Sequence, residues 1–180
     1  MNFYTKQPYA TYCIIVLCSI FYILQSMYPI LDTYSGLNIY FIDGFFWQPL
    51  STMFTHGHIT HLFMNMVVLF QFGSVIEYAR GRAFFLKLYF ISGVITSILS
   101  FVYVYIAYEH FDQIINLVGA SGAICVLIGW IAQRDSFNRK GLIVAILLIS
   151  FLPLLIGMNV AWYAHLIGFG VGWATGKFLR

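Results

Sequence analysis

A serine set among small residues, Gly119-Ala120-Ser121-Gly122, and five histidines are the side chains of this sequence best suited to chemistry. A serine hydroxyl is a weak nucleophile until an adjacent base takes its proton, and an imidazole within about 3 Å is such a base near neutral pH. His165 is the candidate base, because it falls within an apolar stretch, where a polar ring is costly and marks function. The tetrahedral intermediate of acyl transfer also needs donors for its oxyanion. Asn65, His61 and the backbone N–H of Ser121 can supply them, His61 and Asn65 being four residues apart on one helix face. Taken alone, the glycines around Ser121 read equally well as a close-packing motif between membrane helices.

No acid completes a triad. Asp32, Asp43, Asp112 and Asp135 fall in connecting segments, and Glu77 sits at the far end of its apolar stretch from His61. A Ser–His dyad is therefore the most the sequence supports, and a two-aspartate protease is excluded. The spacing of His56, His58 and His61 invites a zinc reading, but there is no H-E-x-x-H and no nearby carboxylate. Structural hydrogen bonding is expected of His56 and His58, with no metal and no cofactor. Cys13, Cys18 and Cys125 form no C-x-x-C pair and suggest neither disulfides nor a thiolate metal site.

The elements that must position these groups follow from composition. Of 180 residues, 61% are hydrophobic and 8% charged, which excludes a soluble globular fold. The net charge of +3 gives no reason to expect a nucleic-acid partner. Charge-free stretches cover 7–31, 44–76, 88–108, 113–133 and 141–176, and hydrocarbon offers their backbone no hydrogen-bond partner, so they must be helical or shielded by protein. The last is too long for one crossing and turns at Pro153, Gly157 and Asn159. The expected architecture is all-α, one membrane domain over 1–180 with spans near 11–30, 61–79, 84–108, 118–133, 141–156 and 162–178. Residues 31–60, with the polar run Gln48, Ser51, Thr52, Thr55, His56 and His58, are expected to form an interfacial loop.

With these spans, Lys6, Arg80, Arg82, Lys87, Arg134, Arg139, Lys140, Lys177 and Arg180 all fall on one side, whereas Asp32, Asp43, Glu109 and Asp112 fall on the other. The positive-inside rule then puts both termini in the cytoplasm, and the first stretch reads as a span rather than a cleaved leader. His61, Ser121 and His165 come out at similar depth near the outer side. Ala164, Gly168, Gly172 and Gly176 recur every four residues beside His165, opposite Gly119, Gly122, Ala123 and Gly129. Two such stripes allow backbones to approach closely enough for His165 to reach Ser121.

From about Trp47 to Gly176 the sequence resembles the rhomboid intramembrane serine proteases. His56 and His61-Leu62-Phe63-Met64-Asn65, then Gly73 with Glu77, then Gly119-Ala120-Ser121-Gly122, then Ala164-His165-Leu166-Ile167-Gly168 with Gly172 match that family's motifs in its order. The resemblance implies a six-helix bundle in which Ser121 is the nucleophile, His165 the general base, and Asn65, His61 and the Ser121 amide the oxyanion donors, with Gly119, Gly122 and His56 in support. Its substrates would be single-span membrane proteins, cut where a helix unwinds near its outer end, in a lipid setting and most naturally a bacterial cytoplasmic membrane. His56, His58, Thr60 and Ser121 are expected to line a water-accessible cavity, and the short 141–156 span with the loop 157–161 to gate substrate entry. Two positions depart from the pattern: Gln48 follows Trp47 where the family has arginine, and Cys125 stands where it usually has an aromatic packed on the histidine. Tyr163 is a candidate substitute for that aromatic. An inactive client-binding relative and a small transporter are the competing classes.

Overall fold

The computed structural model describes residues 7–178, so Lys6 and Arg180, two of the bases used for orientation, lie outside the described residues. Six longer helices run through the apolar stretches: α1 Tyr9–Met27, α4 Ile59–Arg80, α5 Arg82–Phe111, α6 Ser121–Arg134, α7 Arg139–Leu155 and α8 Trp162–Phe178. The boundaries have local causes. α4 starts two residues earlier than expected because the His58 side chain caps it, its Nδ1 accepting the His61 N–H at 3.1 Å. Gly81, at φ +86°, makes the tight turn into α5, and α5 ends at Asp112 in the left-handed conformation.

Three of these helices, α1, α4 and α5, are long and apolar enough by themselves to cross a membrane. α6 has only 14 residues and lies at the centre of the bundle, with every residue from Ala123 to Trp130 buried. Large apolar side chains such as Val16, Phe63, Ile91, Val102 and Leu152 instead point outward.

The segment 31–60 carries short helical elements. It contains α2 Ile30–Ser35, a 3-10 turn at Ile39–Phe41 and α3 Gln48–Ser51. Asn38 knits it together, its Nδ2 donating to the carbonyls of Thr33 and Gly36 and to Asn116 Oδ1 at 2.7, 3.2 and 2.9 Å. Leu37 and Leu117 exchange backbone hydrogen bonds of 2.8 and 2.9 Å, tying this segment to the stretch that leads into α6.

The opposite end is basic and latched. Glu77 closes the first turn of α1, accepting the N–H groups of Ala10 and Thr11 at 3.0 and 2.8 Å and the Thr11 hydroxyl at 2.9 Å. Arg139 donates to the carbonyls of Ala132 and Gln133 at the end of α6, both at 2.9 Å, and Arg134 to that of Gly176 in α8 at 3.0 Å. Cations at helix C-termini also complement the helix dipole. Arg82 lies over the Tyr9 ring and Arg80 over Phe84 and Trp130, so the start of α1, the α4–α5 turn, the α6–α7 turn and the end of α8 share one end.

Candidate active site

Ser121 is the first residue of α6 and His165 the fourth of α8, and close helix packing brings them together. A Cβ on Gly168 would overlap the Gly122 carbonyl oxygen, one on Gly172 that of Val126, and one on Gly129 that of Phe169. Only glycine permits this approach of α6 to α8. It leaves His165 Nε2 3.0 Å from Ser121 Oγ, with the histidine buried and the serine half-buried.

The entry to α6 is held as firmly as its body. Gly119, at φ +124°, donates its N–H to the Thr52 carbonyl at 3.0 Å, and the Thr52 hydroxyl donates to the Leu117 carbonyl at 2.5 Å. Because Ser121 opens the helix, its N–H and those of the next two residues have no intrahelical acceptor and point out of the N-terminus. The His61 ring lies against Gly119, where a Cβ would sit 2.8 Å from both Cε1 and Nε2. Asn65 is buried and donates one Nδ2 proton to the His61 carbonyl at 2.9 Å, leaving its second amide proton. The structure thus gathers Ser121, His165, His61 and Gly119 into one cluster, with Asn65 one turn below His61.

His56 is buried beside this cluster, its ring centroid 5.3 Å from that of His61. Its Nδ1 is 3.0 Å from the Phe54 carbonyl, and its backbone N–H donates to Gln25 Oε1 at 3.1 Å. Burial pushes its pKa down to about 4, the neighbouring His61 adds to this, and the Phe54 hydrogen bond opposes it. His58, Thr60 and His110 are exposed. Among the described residues no trio of His, Cys, Asp or Glu is arranged to hold a metal; the rings of His56 and His58 instead pack against that of His61.

Beside Ser121 lies a small cavity of about 10 Å³, where the hydroxyl-bearing Thr52, Thr96, Ser97 and Ser100 share the lining with Met53, Leu117 and Ala164 rather than with the expected His56, His58 and Thr60. The His58 side chain caps α4, and the His56 ring bonds the Phe54 carbonyl through Nδ1. Two groups that matter here escaped the sequence reading. Thr52 anchors the segment before the serine, and Ser150, buried in α7, has its Oγ 3.4 Å from His165 Nδ1. A lone serine in the apolar run 142–152 was the available signal for the second.

The family model described as Rhomboid domain matches residues 43–180. The chain belongs to the rhomboid family. With its apolar helices, that makes it an integral membrane protein. It is 31% identical over 144 residues to the Bacillus subtilis protein YdcA, named provisionally as a rhomboid protease, covering 76% of this chain and 69% of that one. It is 25% identical over 191 residues to Rhomboid protease GlpG of Haemophilus influenzae, covering 95% and 91%. RHOMBOID-like protein 4 of Arabidopsis thaliana is 33% identical over 161 residues, which span 83% of this chain but 38% of the plant protein.

Seen as a rhomboid, the chain handles its two departures differently. Gln48 is wholly buried; its Oε1 accepts the Asn38 N–H at 3.2 Å, and its Nε2 donates to Asn38 Oδ1 and the Thr33 carbonyl at 3.1 and 3.3 Å. A neutral amide thus serves the loop where a rhomboid arginine is usual. At the second departure, Tyr163 stacks on Tyr103 with centroids 4.0 Å apart, and among the described residues no ring packs on His165.

Proposed function

We propose that this rhomboid is an intramembrane serine endopeptidase that cuts single-span membrane proteins with a Ser121–His165 dyad. The observation that carries the reading is the 3.0 Å contact between His165 Nε2 and Ser121 Oγ at the mouth of α6. In the first step Ser121 Oγ attacks the scissile carbonyl while its proton passes to His165 Nε2. The resulting oxyanion accepts from the free Ser121 N–H, with His61 and the remaining Asn65 amide proton as further donors. Collapse breaks the C–N bond, and His165 returns the proton to the leaving amine. Water then repeats the sequence on the acyl-enzyme, and the cavity lined in part by Thr52, Thr96, Ser97 and Ser100 is about the size of one water.

In this proposal residues 1–180 form one membrane domain of six crossings, with the basic end and both termini in the cytoplasm and the dyad toward the outer face of a bacterial cytoplasmic membrane. The bases gathered at one end of the bundle support it, as do the exposed Tyr34, Tyr40, Phe46 and Trp47 at the other, where aromatic side chains suit contact with lipid headgroups. A helical substrate hides its carbonyls in hydrogen bonds, so cleavage requires a segment that unwinds near its outer end. A fluorophosphonate probe tests the nucleophile. Labelling of the wild type that is lost in both Ser121→Ala and His165→Ala is expected, whereas an unreactive wild type would favour the inactive client-binding class.

A further inference from the structure

His165 makes a second polar contact through the nitrogen that faces away from Ser121. Its Nδ1 lies 3.4 Å from Oγ of Ser150, which is wholly buried on α7. The same Oγ lies 2.7 Å from the carbonyl oxygen of Ile146, one turn earlier on that helix. A carbonyl can only accept, so the single proton of Ser150 goes to Ile146, and toward His165 the hydroxyl presents lone pairs. Nδ1 must then carry the ring proton and donate it. In a neutral imidazole that leaves Nε2 unprotonated, facing Ser121 Oγ at 3.0 Å. This is the tautomer that general-base attack requires.

We propose that Ser150 is a positioning residue of the reaction: it fixes the tautomer and the ring orientation of His165 by accepting from Nδ1. The inference rests on the dyad reading above. The rhomboid aromatic usually packed on the histidine is replaced by Cys125, so a hydroxyl from α7 does by hydrogen bonding what a ring elsewhere does by packing. The buried residues of α7 are Ile146 and Ser150, and the helix is otherwise turned outward or half-exposed, so its one serine in the run 142–152 sits on the face that meets the dyad. The plainer account, a serine that merely satisfies itself on its own helix, predicts no effect on the histidine.

Nitrogen-15 spectra of histidine-labelled full-length protein in detergent test this directly, with the His165→Gln spectrum identifying the His165 signals. In the wild type, Nδ1 is expected to be protonated and Nε2 bare. Ser150→Ala is expected to move the ring toward the Nε2-protonated form and to lower kcat roughly tenfold with KM within about twofold. Ser150→Thr, which keeps the hydroxyl, is expected to restore both the spectrum and kcat. A wild-type His165 protonated on Nε2 would overturn the proposal, as would a Ser150→Ala protein with unchanged spectrum or kcat, or an equal loss in the Thr variant. The spectra need no substrate, so a wild type that cleaves nothing overturns the protease reading and leaves the tautomer assignment to stand or fall separately.

Discussion

Gly119 lies against His61 so closely that a single added methyl carbon would stand 2.8 Å from the ring's Nε2 and Cε1. It also holds φ at +124°, a conformation that side chains with a Cβ rarely adopt. Gly119→Ala is therefore expected to displace both the His61 ring and the N–H groups that open α6, lowering kcat/KM at least tenfold while helix content by circular dichroism stays unchanged. Unaltered kinetics in that variant would mean that His61 has no part in oxyanion binding.

Close approach of α6 and α8 has its own test in two glycines of one helix. A Cβ on Gly172 would overlap the Val126 carbonyl oxygen, whereas one on Gly170 meets nothing within 4 Å. Gly172→Ala is expected to push α8 away and cost about 100-fold in kcat, since displacement of a catalytic group by about 1 Å has that effect. Gly170→Ala is expected to leave activity intact and to raise stability by up to about 1 kcal/mol through helix propensity. Equal activity of the two variants would contradict the packing argument.

The carboxylate of Glu77 works far from the chemistry. It satisfies two backbone donors and a hydroxyl at the start of α1, while its contact with Arg82, at 3.6 Å to a 59% exposed side chain, adds little. Glu77→Ala is expected to cost about 2–3 kcal/mol by leaving those donors unmet. A lowered midpoint of thermal unfolding in detergent would register it, and Arg82→Ala should change that midpoint by much less.

How far this arrangement was legible in the sequence depended on which force fixed each part. Charges bounded the apolar stretches, so the six longer helices fall within a few residues of their expected limits, and capping by His58 or the left-handed Asp112 accounts for differences at the ends of α4 and α5. The approach of His165 to Ser121 was legible because a four-residue glycine stripe leaves few other packings. The fold of residues 31–60 was not, since it depends on side-chain amides, Gln48, Asn38 and Asn116, bonding across long sequence separations without any periodic pattern. Ser150 escaped for the same reason: its partner lies on another helix, and neither neighbour in sequence points to it.

His56 links stability to pH. Its pKa in the folded protein is about 4, against 6.5 when unperturbed, so the unfolded chain takes up a proton in this window that the native state does not. The stability this contributes is complete above pH 6.5, declines as pH falls, and by pH 4 is lower by about 3 kcal/mol. Thermal unfolding at pH 7.5 and 4.5 should show a smaller acid-driven drop in His56→Asn, whose amide can still donate to the Phe54 carbonyl. The same drop in both proteins would show that other groups set the acid limit.

The proposed activity requires that the hydroxyl and imidazole that meet at 3.0 Å be the machinery of peptide hydrolysis. The most direct measurement is cleavage of a single-span membrane protein, reconstituted in liposomes with purified wild type, Ser121→Ala or His165→Ala, and read by mass spectrometry of the products. Cleavage by the wild type near the outer end of the substrate helix, abolished in both variants while each keeps its thermal unfolding midpoint, is the predicted result. Products of the same mass and yield from Ser121→Ala would contradict it.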